Sequence, residues 1–460
     1  MTPLWTSDEI AAAVGGQSIG GFSASGVTFD SREIIGGELF IALRGEETDG
    51  HRFVDMARKR GAAGYLVSEA VEGAHVRVAD TTAALEALGK AARSRSAARI
   101  IGVTGSVGKT GVKEALRLAL DRFAPQRTHA SVKSYNNHTG VPLSLARMPA
   151  DSRFGVFEMG MNHVGELAAL TQLVRPHVAV VTWVASAHRE FFESEEAIAD
   201  AKGEIFAGLE AGGVAVIPVD SIHRDRLVEA ATPHAARIVT FGEGDGADVR
   251  ALRYSLQPDC TTVTAQVGDD LLTYKIGMAG RHWLNNSLAV LAAVQVAGGD
   301  LAMAGLALAE LKDLPGRGRR VRVDREGGQA VVIDESYNAN PASMKAALAV
   351  LRDVAMAGTG KRVAVLGSMK ELGRLSDDFH AGLAPDVIAA NVRHAILVGR
   401  EIEPLADMLR KHVRVECVAD TAAAIEATER CLAADDVLLV KGSNSVGLSK
   451  LVAHLTGGDI

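Results

Sequence analysis

Residues 99–120 read RIIGVTGSVGKTGVKEALRLAL, and this stretch decides the fold. Ile100, Ile101 and Val103 make a short apolar run of the kind a buried strand presents. Gly105, Ser106, Val107, Gly108, Lys109 and Thr110 follow, and then Val112, Ala115, Leu116 and Leu120 recur on one side of a helix. A strand, a glycine-rich turn and a helix in that order form a phosphate site. The glycines let backbone N–H groups close around phosphate oxygens, and the helix N-terminus adds partial positive charge. Lys109 then reaches the terminal phosphates, and the Thr110 hydroxyl serves Mg²⁺. The spacing departs from the common motif, because Val103 stands where its first glycine belongs and glycines occupy 102, 105 and 108. A plain turn with a surface lysine is the alternative.

Bulk composition narrows the classes. A chain of 460 residues has room for roughly three domains of ordinary size. It is 47% hydrophobic but only 4% aromatic, with Ala, Val, Leu and Gly dominant, as in layered α/β proteins. A formal net charge of −7 opposes nonspecific nucleic-acid binding, so an anionic ligand must be held by local cations. Cys260, Cys417 and Cys431 form no C-x-x-C pair, which fits a reducing cytoplasm and supplies no zinc framework. The opening MTPLWTSDEIAAAVGG lacks a signal-peptide layout, and no apolar run is long enough to span a membrane. A cytoplasmic monomer is expected, with no nucleic-acid partner and no membrane insertion.

Taken in order, residues 1–96 read as a small α/β domain. Residues 5–14 form a helix capped by Ser7, and Val27/Phe29 and 39–43 form strands. Asp30-Ser31-Arg32 falls at a strand end, where a solvated turn explains it equally well. Residues 81–95 form an amphipathic helix, and 94–99 a linker. From 97 to 312 strands and helices alternate, which predicts a mainly parallel sheet with ligands at the carboxyl ends of its strands. Glu158 closes the apolar strand at 154–157, as an edge charge or as an acid beside a metal. His188 follows the predicted strand 178–184, where a lone histidine is commonly structural. Ser194 caps a helix whose apolar stripe is Ile198, Ala201, Ile205, Phe206 and Leu209. Lys202 belongs to that stripe, so it either snorkels outward or is held inside for a reason.

The third domain is placed at 313–460, after the Gly/Arg-rich joint at 315–320, which reads as a solvated hinge or as an arginine that swings onto a nucleotide. A strand at 330–333 ends in Asp334, and Asn340 then caps a helix with Pro341 in its first turn. Strands at 363–366, 395–398, 413–418 and 437–440 alternate with helices in a Rossmann-like unit. It contains no G-x-G-x-x-G, so no dinucleotide site is read there.

These strings in this order resemble the Mur ligase superfamily, ATP-dependent peptide-bond formers of peptidoglycan precursor synthesis. The resemblance rests on T-G-S-V-G-K-T at 104–110, E-M-G at 158–160, A-H-R-E-F-F at 187–192, A-D-A-K-G-E-I-F at 199–206 and K-G-S at 441–443. It implies three α/β domains: a UDP-binding domain at 1–96, a central P-loop domain at 97–312 and a Rossmann-like domain at 313–460 that closes over ATP and the amine. It implies two Mg²⁺ ions, one held by Thr110 and Glu158, the other by His188 and by Lys202 after reaction with carbon dioxide to a carbamate. Lys109, Glu158, His188 and Lys202 would be the catalytic set. Gly105 to Thr110, Asn286, Arg317, Asp334 and Asn338 would hold ATP, with Asp334 by the ribose. Ser31, Arg32, Asn136, Asn137, Lys441 and Ser443 would face the other substrates.

The run D-E-S-Y-N-A-N-P at 334–341 is similar to the branch that adds D-alanyl-D-alanine to UDP-N-acetylmuramoyl-tripeptide, and D-N-P-R, typical of the diaminopimelate-adding branch, is absent. Three positions depart from the family pattern: Gly111 where Ser or Thr is usual, Trp283 for an asparagine, and Ser368 for an aspartate. Three rival readings are weighed: another amide ligase of the superfamily, a non-catalytic nucleotide-binding subunit of an amidotransferase, and a P-loop motor or phosphotransferase. The amidotransferase subunit typically carries a four-cysteine zinc insert, absent here, and the motor needs a Walker-B aspartate where this strand ends in Glu158.

Overall fold

The computed structural model describes residues 3–45, 48–186, 190–312, 316–356 and 358–458. Three larger sheets follow one another along the chain. The first has five strands and carries Gly26–Thr28 at one edge, beside Glu38–Ile41. The second has nine, in the spatial order Asp270–Ile276, Thr261–Val267, Val249–Leu256, Arg237–Gly242, Val214–Pro218, Val178–Val181, Arg99–Thr104, Phe154–Glu158, Thr128–Ala130. The third has six, with Gly328–Glu335 beside Val437–Lys441, and Arg362–Gly367 on the far side of the latter. Runs of Val, Ile and Ala buried on both faces explain the parallel core of each large sheet. The central sheet is parallel as far as Val249–Leu256 and then turns antiparallel through two hairpin strands.

Local chemistry sets the element ends. The first helix is Ser7–Val14, and its cap is Thr6 rather than Ser7. Thr6 accepts from the Glu9 N–H while Glu9 returns a bond to the Thr6 N–H, so the reciprocal pair wins over a lone serine. Asn340 caps Pro341–Asp353 as expected, in a box with Ser343. The strand predicted to run to 184 stops at Val181, because the Thr182 hydroxyl turns to donate to the Val107 carbonyl at 2.5 Å. Helix Glu195–Gly203 ends earlier than its apolar stripe, which continues through a 3₁₀ turn at Glu204–Gly208.

The first sheet is fastened to the second by side chains that reach backbone carbonyls. Trp5 Nε1 donates to Ala146, Arg93 to Val174 and Arg175, and Arg147 Nε to Val27. His129, on the edge strand Thr128–Ala130, bonds the Ser144 carbonyl through Nε2 at 2.7 Å. Burial drives its pKa from 6.5 down to about 4 against that bond. The unfolded chain therefore takes up a proton before the native one does, and stability falls as pH drops from 6.5 toward 4. At pH 4 this histidine alone costs about 3 kcal/mol. His129→Gln keeps a donor near the Nε2 position and removes the titration. Its melting temperature should fall less steeply than that of the native chain between pH 7 and 4; parallel curves would refute this.

Candidate active site

The strand Arg99–Thr104 delivers the phosphate loop at its carboxyl end, between the ends of Phe154–Glu158 and Val178–Val181. Gly105 sits at φ +152° with no room for a side chain, since a Cβ there would lie 2.0 Å from Thr182 Oγ1. Gly108 begins the helix Lys109–Phe123 at φ +86°, and a Cβ on it would meet Asn286 Oδ1 at 2.6 Å. Ser106 accepts from the Ala185 N–H and donates to the Ala185 carbonyl, so the loop is stitched to the segment that follows the neighbouring strand. Lys109 Nζ donates to the Gly105 carbonyl at 2.6 Å. Burial lowers its pKa, and Glu158 opposes that shift.

Glu158 is 1% exposed and takes two donors: Thr110 Oγ1 on Oε2 and Asn136 Nδ2 on Oε1, each at 2.7 Å. A hydroxyl, a carboxylate and an amide so gathered beside a phosphate loop are the hard oxygen donors that suit Mg²⁺. Lys202 does not snorkel. It is 1% exposed, and among the described residues its ammonium has no hydrogen-bond or ion-pair partner. Burial first, and then the charge of Lys109, push its pKa well below the ordinary lysine range. His188 lies outside the described residues.

A cavity of about 590 Å³ opens between the central and C-terminal sheets. Among the predicted residues, Ser106 to Thr110, Asn136, Glu158, Asn286, Arg317, Asn338, Lys441 and Ser443 line it. Asn340 Nδ2 donates to the Ser106 carbonyl at 3.3 Å and Arg317 to Ser134 Oγ at 3.4 Å, so the C-terminal domain is closed on the phosphate loop. The Glu190 N–H also donates to the Glu371 carbonyl across the same gap. Lys441 Nζ rests on the Asn338 carbonyl at 2.8 Å and near Glu335 at 3.4 Å, and the Ser443 hydroxyl accepts from the Lys370 N–H.

Gly105 and Lys202 stand behind the cavity wall, and four further predicted residues stand elsewhere. Asp334 is filled by its own loop, accepting from the Gly316 and Ser336 N–H groups and the Ser336 hydroxyl, and it does not line the cavity. Asn137 Oδ1 accepts from Gly140 and Thr139 at the start of the next helix. Ser31 is buried with its hydroxyl on Met56 Sδ, and Arg32 is exposed and paired with Asp30. Both lie on the turn after Gly26–Thr28, in the first domain.

Sequence reasoning missed Lys113, which is fully buried one helical turn after Lys109 and donates to the Ser131 and Lys133 carbonyls at 2.8 Å each. Its place in the apolar spacing of that helix was the available signal. Two of the family departures prove to be one. A Cβ on Gly111 would lie 3.0 Å from Trp283 Cη2, so the glycine and the indole fit each other beneath the phosphate loop. The carboxylate missing at Ser368 has a neighbour in Glu401, which pairs with Lys370 and is held at about 2 by Lys370 first and by Ser368.

A sheet of this order with a glycine-rich loop at the switch between its strands defines a P-loop nucleotide-binding protein. Residues 103–294 match the Mur ligase middle domain, 318–444 the Mur ligase glutamate ligase domain, and 23–117 the Mur ligase family catalytic domain. The chain is 30% identical to the UDP-N-acetylmuramoyl-tripeptide--D-alanyl-D-alanine ligase of Rickettsia prowazekii, over 98% of this chain and 99% of that one. A crystal structure of MurF from Acinetobacter baumannii superposes with a TM-score of 0.83 at 30% identity, covering 98% of this chain and 99% of that chain. MurF from Thermotoga maritima in complex with ADP gives 0.75 at 26%, covering 94% and 97%. The chain belongs to the Mur ligase family, in its UDP-N-acetylmuramoyl-tripeptide–D-alanyl-D-alanine ligase (MurF) branch.

The fit of Gly111 to Trp283 predicts a coupled pair. Gly111→Ser should destabilise the protein by roughly 1–3 kcal/mol through overpacking. Trp283→Asn empties core volume and costs several kcal/mol by itself, but in that background the Gly111→Ser penalty should shrink by at least ~1 kcal/mol. Strictly additive unfolding free energies across the cycle would show that the two sites do not touch.

Proposed function

We propose that this chain is the ATP-dependent ligase that joins D-alanyl-D-alanine to UDP-N-acetylmuramoyl-tripeptide, releasing ADP and phosphate. One observation carries the chemistry: Lys109 and Lys441 line one cavity, the first from the phosphate loop and the second from the C-terminal sheet. ATP then lies against the loop, and the amine substrate meets it from the Lys441–Ser443 end. The choice of dipeptide is supported by 30% identity across nearly the whole of a relative bearing that name.

In the first step a carboxylate oxygen of the tripeptide attacks the γ-phosphorus, the bond to ADP breaks, and an acyl phosphate results. In the second, the dipeptide amine attacks the acyl carbon and phosphate leaves. Bringing one anion up to another is opposed by charge repulsion, which Lys109 offsets. Mg²⁺, when bound, adds positive charge at the phosphoryl oxygens. Thr110 and Glu158 are the residues placed to hold one ion; Lys202 and His188 are proposed for a second. A buried amine favours its neutral form, and that form attacks carbon dioxide, making a C–N bond and releasing a proton. The product is an oxygen-donor anion in place of a cation. The closed C-terminal domain excludes water from the acyl phosphate. Ser31, Arg32 and Asn137 are assigned to the UDP-sugar end, and Asp334 to holding the joint beside the nucleotide. Three domains at 1–96, 97–312 and 313–460 share these roles. We take the monomer as the working unit. Among the described residues no helix is long and apolar enough to cross a membrane, and we place the enzyme in the cytoplasm, with its ATP.

With ATP, Mg²⁺ and the UDP-tripeptide, D-alanyl-D-alanine should support phosphate release, and D-glutamate or diaminopimelate should not; the reverse result overturns the assignment. Lys109→Ala should lower kcat on the order of 10²–10³-fold in the same assay. Lys202→Ala should lose turnover and regain part of it with added formate or acetate. Full activity of the plain alanine variant would remove the carbamate.

A further inference from the structure

The loop at 131–137 is the meeting point of all three domains. From the central domain, buried Lys113 holds the Ser131 and Lys133 carbonyls, and Asn136 takes the Gly160 N–H on its carbonyl. From the C-terminal domain, Arg317 reaches Ser134, whose hydroxyl is also 3.3 Å from Thr110 Oγ1. From the N-terminal domain come the Phe29 ring, packed on Tyr135, and the Glu33 carboxylate. Its Oε1 accepts from Lys133 Nζ at 2.5 Å and Tyr135 OH at 3.0 Å. Its Oε2 accepts from Arg147 at 3.0 Å and from Thr28 Oγ1 at 3.1 Å. Lys133 itself sits at φ +53°, a left-handed position that a non-glycine residue holds only when its surroundings fix it.

Glu33 shares a single 3₁₀ turn, Ser31–Glu33, with the two residues assigned to the UDP-sugar end. Anything that shifts this turn shifts the carboxylate, and with it the Lys133 and Tyr135 ends of the loop. Ser134 and Asn136 alternate with those residues and face the other way, onto Thr110, Arg317 and Glu158. Burial alone would raise the Glu33 pKa, but the bonds from Lys133, Arg147 and Tyr135 hold it at about 2, so it stays a full anion at neutral pH. A surface ion pair made only for stability needs one cation; this carboxylate has four donors drawn from both sides of a domain boundary.

We infer that Glu33 is a positioning residue for the nucleotide centre: it couples occupancy of the UDP-sugar end to ATP binding by setting the place of Ser134 and Asn136. This rests on the substrate reading given under Proposed function. The probe is a non-hydrolysable ATP analogue with a methylene between its outer phosphorus atoms, titrated calorimetrically with Mg²⁺, with and without saturating UDP-N-acetylmuramoyl-tripeptide. In the native chain the sugar nucleotide should tighten the analogue about five-fold or more, the usual lower range for coupled sites. In Glu33→Gln that ratio should fall to within about two-fold of unity. Tyr135→Phe, which removes one hydroxyl and keeps the ring against Phe29, should lower the ratio by an intermediate amount and serves if Glu33→Gln fails to fold. A ratio of one in the native chain, or an undiminished ratio in the variants, overturns the inference. A native chain that does not bind the UDP-sugar at all overturns the substrate reading and this inference with it.

Discussion

Lys202 and Lys441 are buried and Lys109 is half-buried at the cavity wall, and in all three burial works against the charged form; that is the constraint the rest of the structure answers. Removing an ammonium from water is expensive even after relaxation, costing several kcal/mol per ion. The protein supplies little compensation of its own: Lys109 falls back on a carbonyl of its own loop, Lys441 on a carbonyl and a more distant carboxylate, and among the described residues Lys202 finds nothing. Glu158 and Glu335 offset part of the cost for Lys109 and Lys441, and an anionic ligand would offset more. A net anionic chain thus binds polyanions because its few relevant cations are desolvated and pre-aimed, whatever its overall field.

Much of this was legible in the sequence because it is local. The strand, loop and helix around Gly105–Thr110 follow one another directly, and Lys202 stands out once the apolar spacing of its helix is drawn. Asn340 and Pro341 announce a helix start by short-range chemistry alone. The rest depends on contacts between distant positions. Gly111 and Trp283 look like two separate irregularities until their atoms are seen to touch. Asp334 has the spacing of a ligand-facing acid, yet its own neighbours Gly316 and Ser336 take both its oxygens. Thr6 outranks Ser7 as a cap because Glu9 completes a reciprocal pair, which depends on side-chain reach as well as residue type.

Ser368 shows how an acid can stand near a position that has none of its own. The carboxylate the family pattern places there is absent, but Glu401, from the turn after the adjacent strand, stands beside the same serine and holds Lys370, which lines the cavity. Charge near a cavity wall is a property of a volume, and any strand end bordering that volume can furnish it.

Asn340 divides its two polar atoms between two tasks. Its oxygen caps helix Pro341–Asp353, and its nitrogen reaches the Ser106 carbonyl across the domain gap. When the gap opens, the cap stays intact, and only one rim hydrogen bond of roughly 0.5–1.5 kcal/mol passes to water. The bonds from Arg317 to Ser134 and from Glu190 to Glu371 are of the same modest kind. A boundary whose polar bonds leave each helix cap complete ties the two domains together without making either one's secondary structure depend on the other.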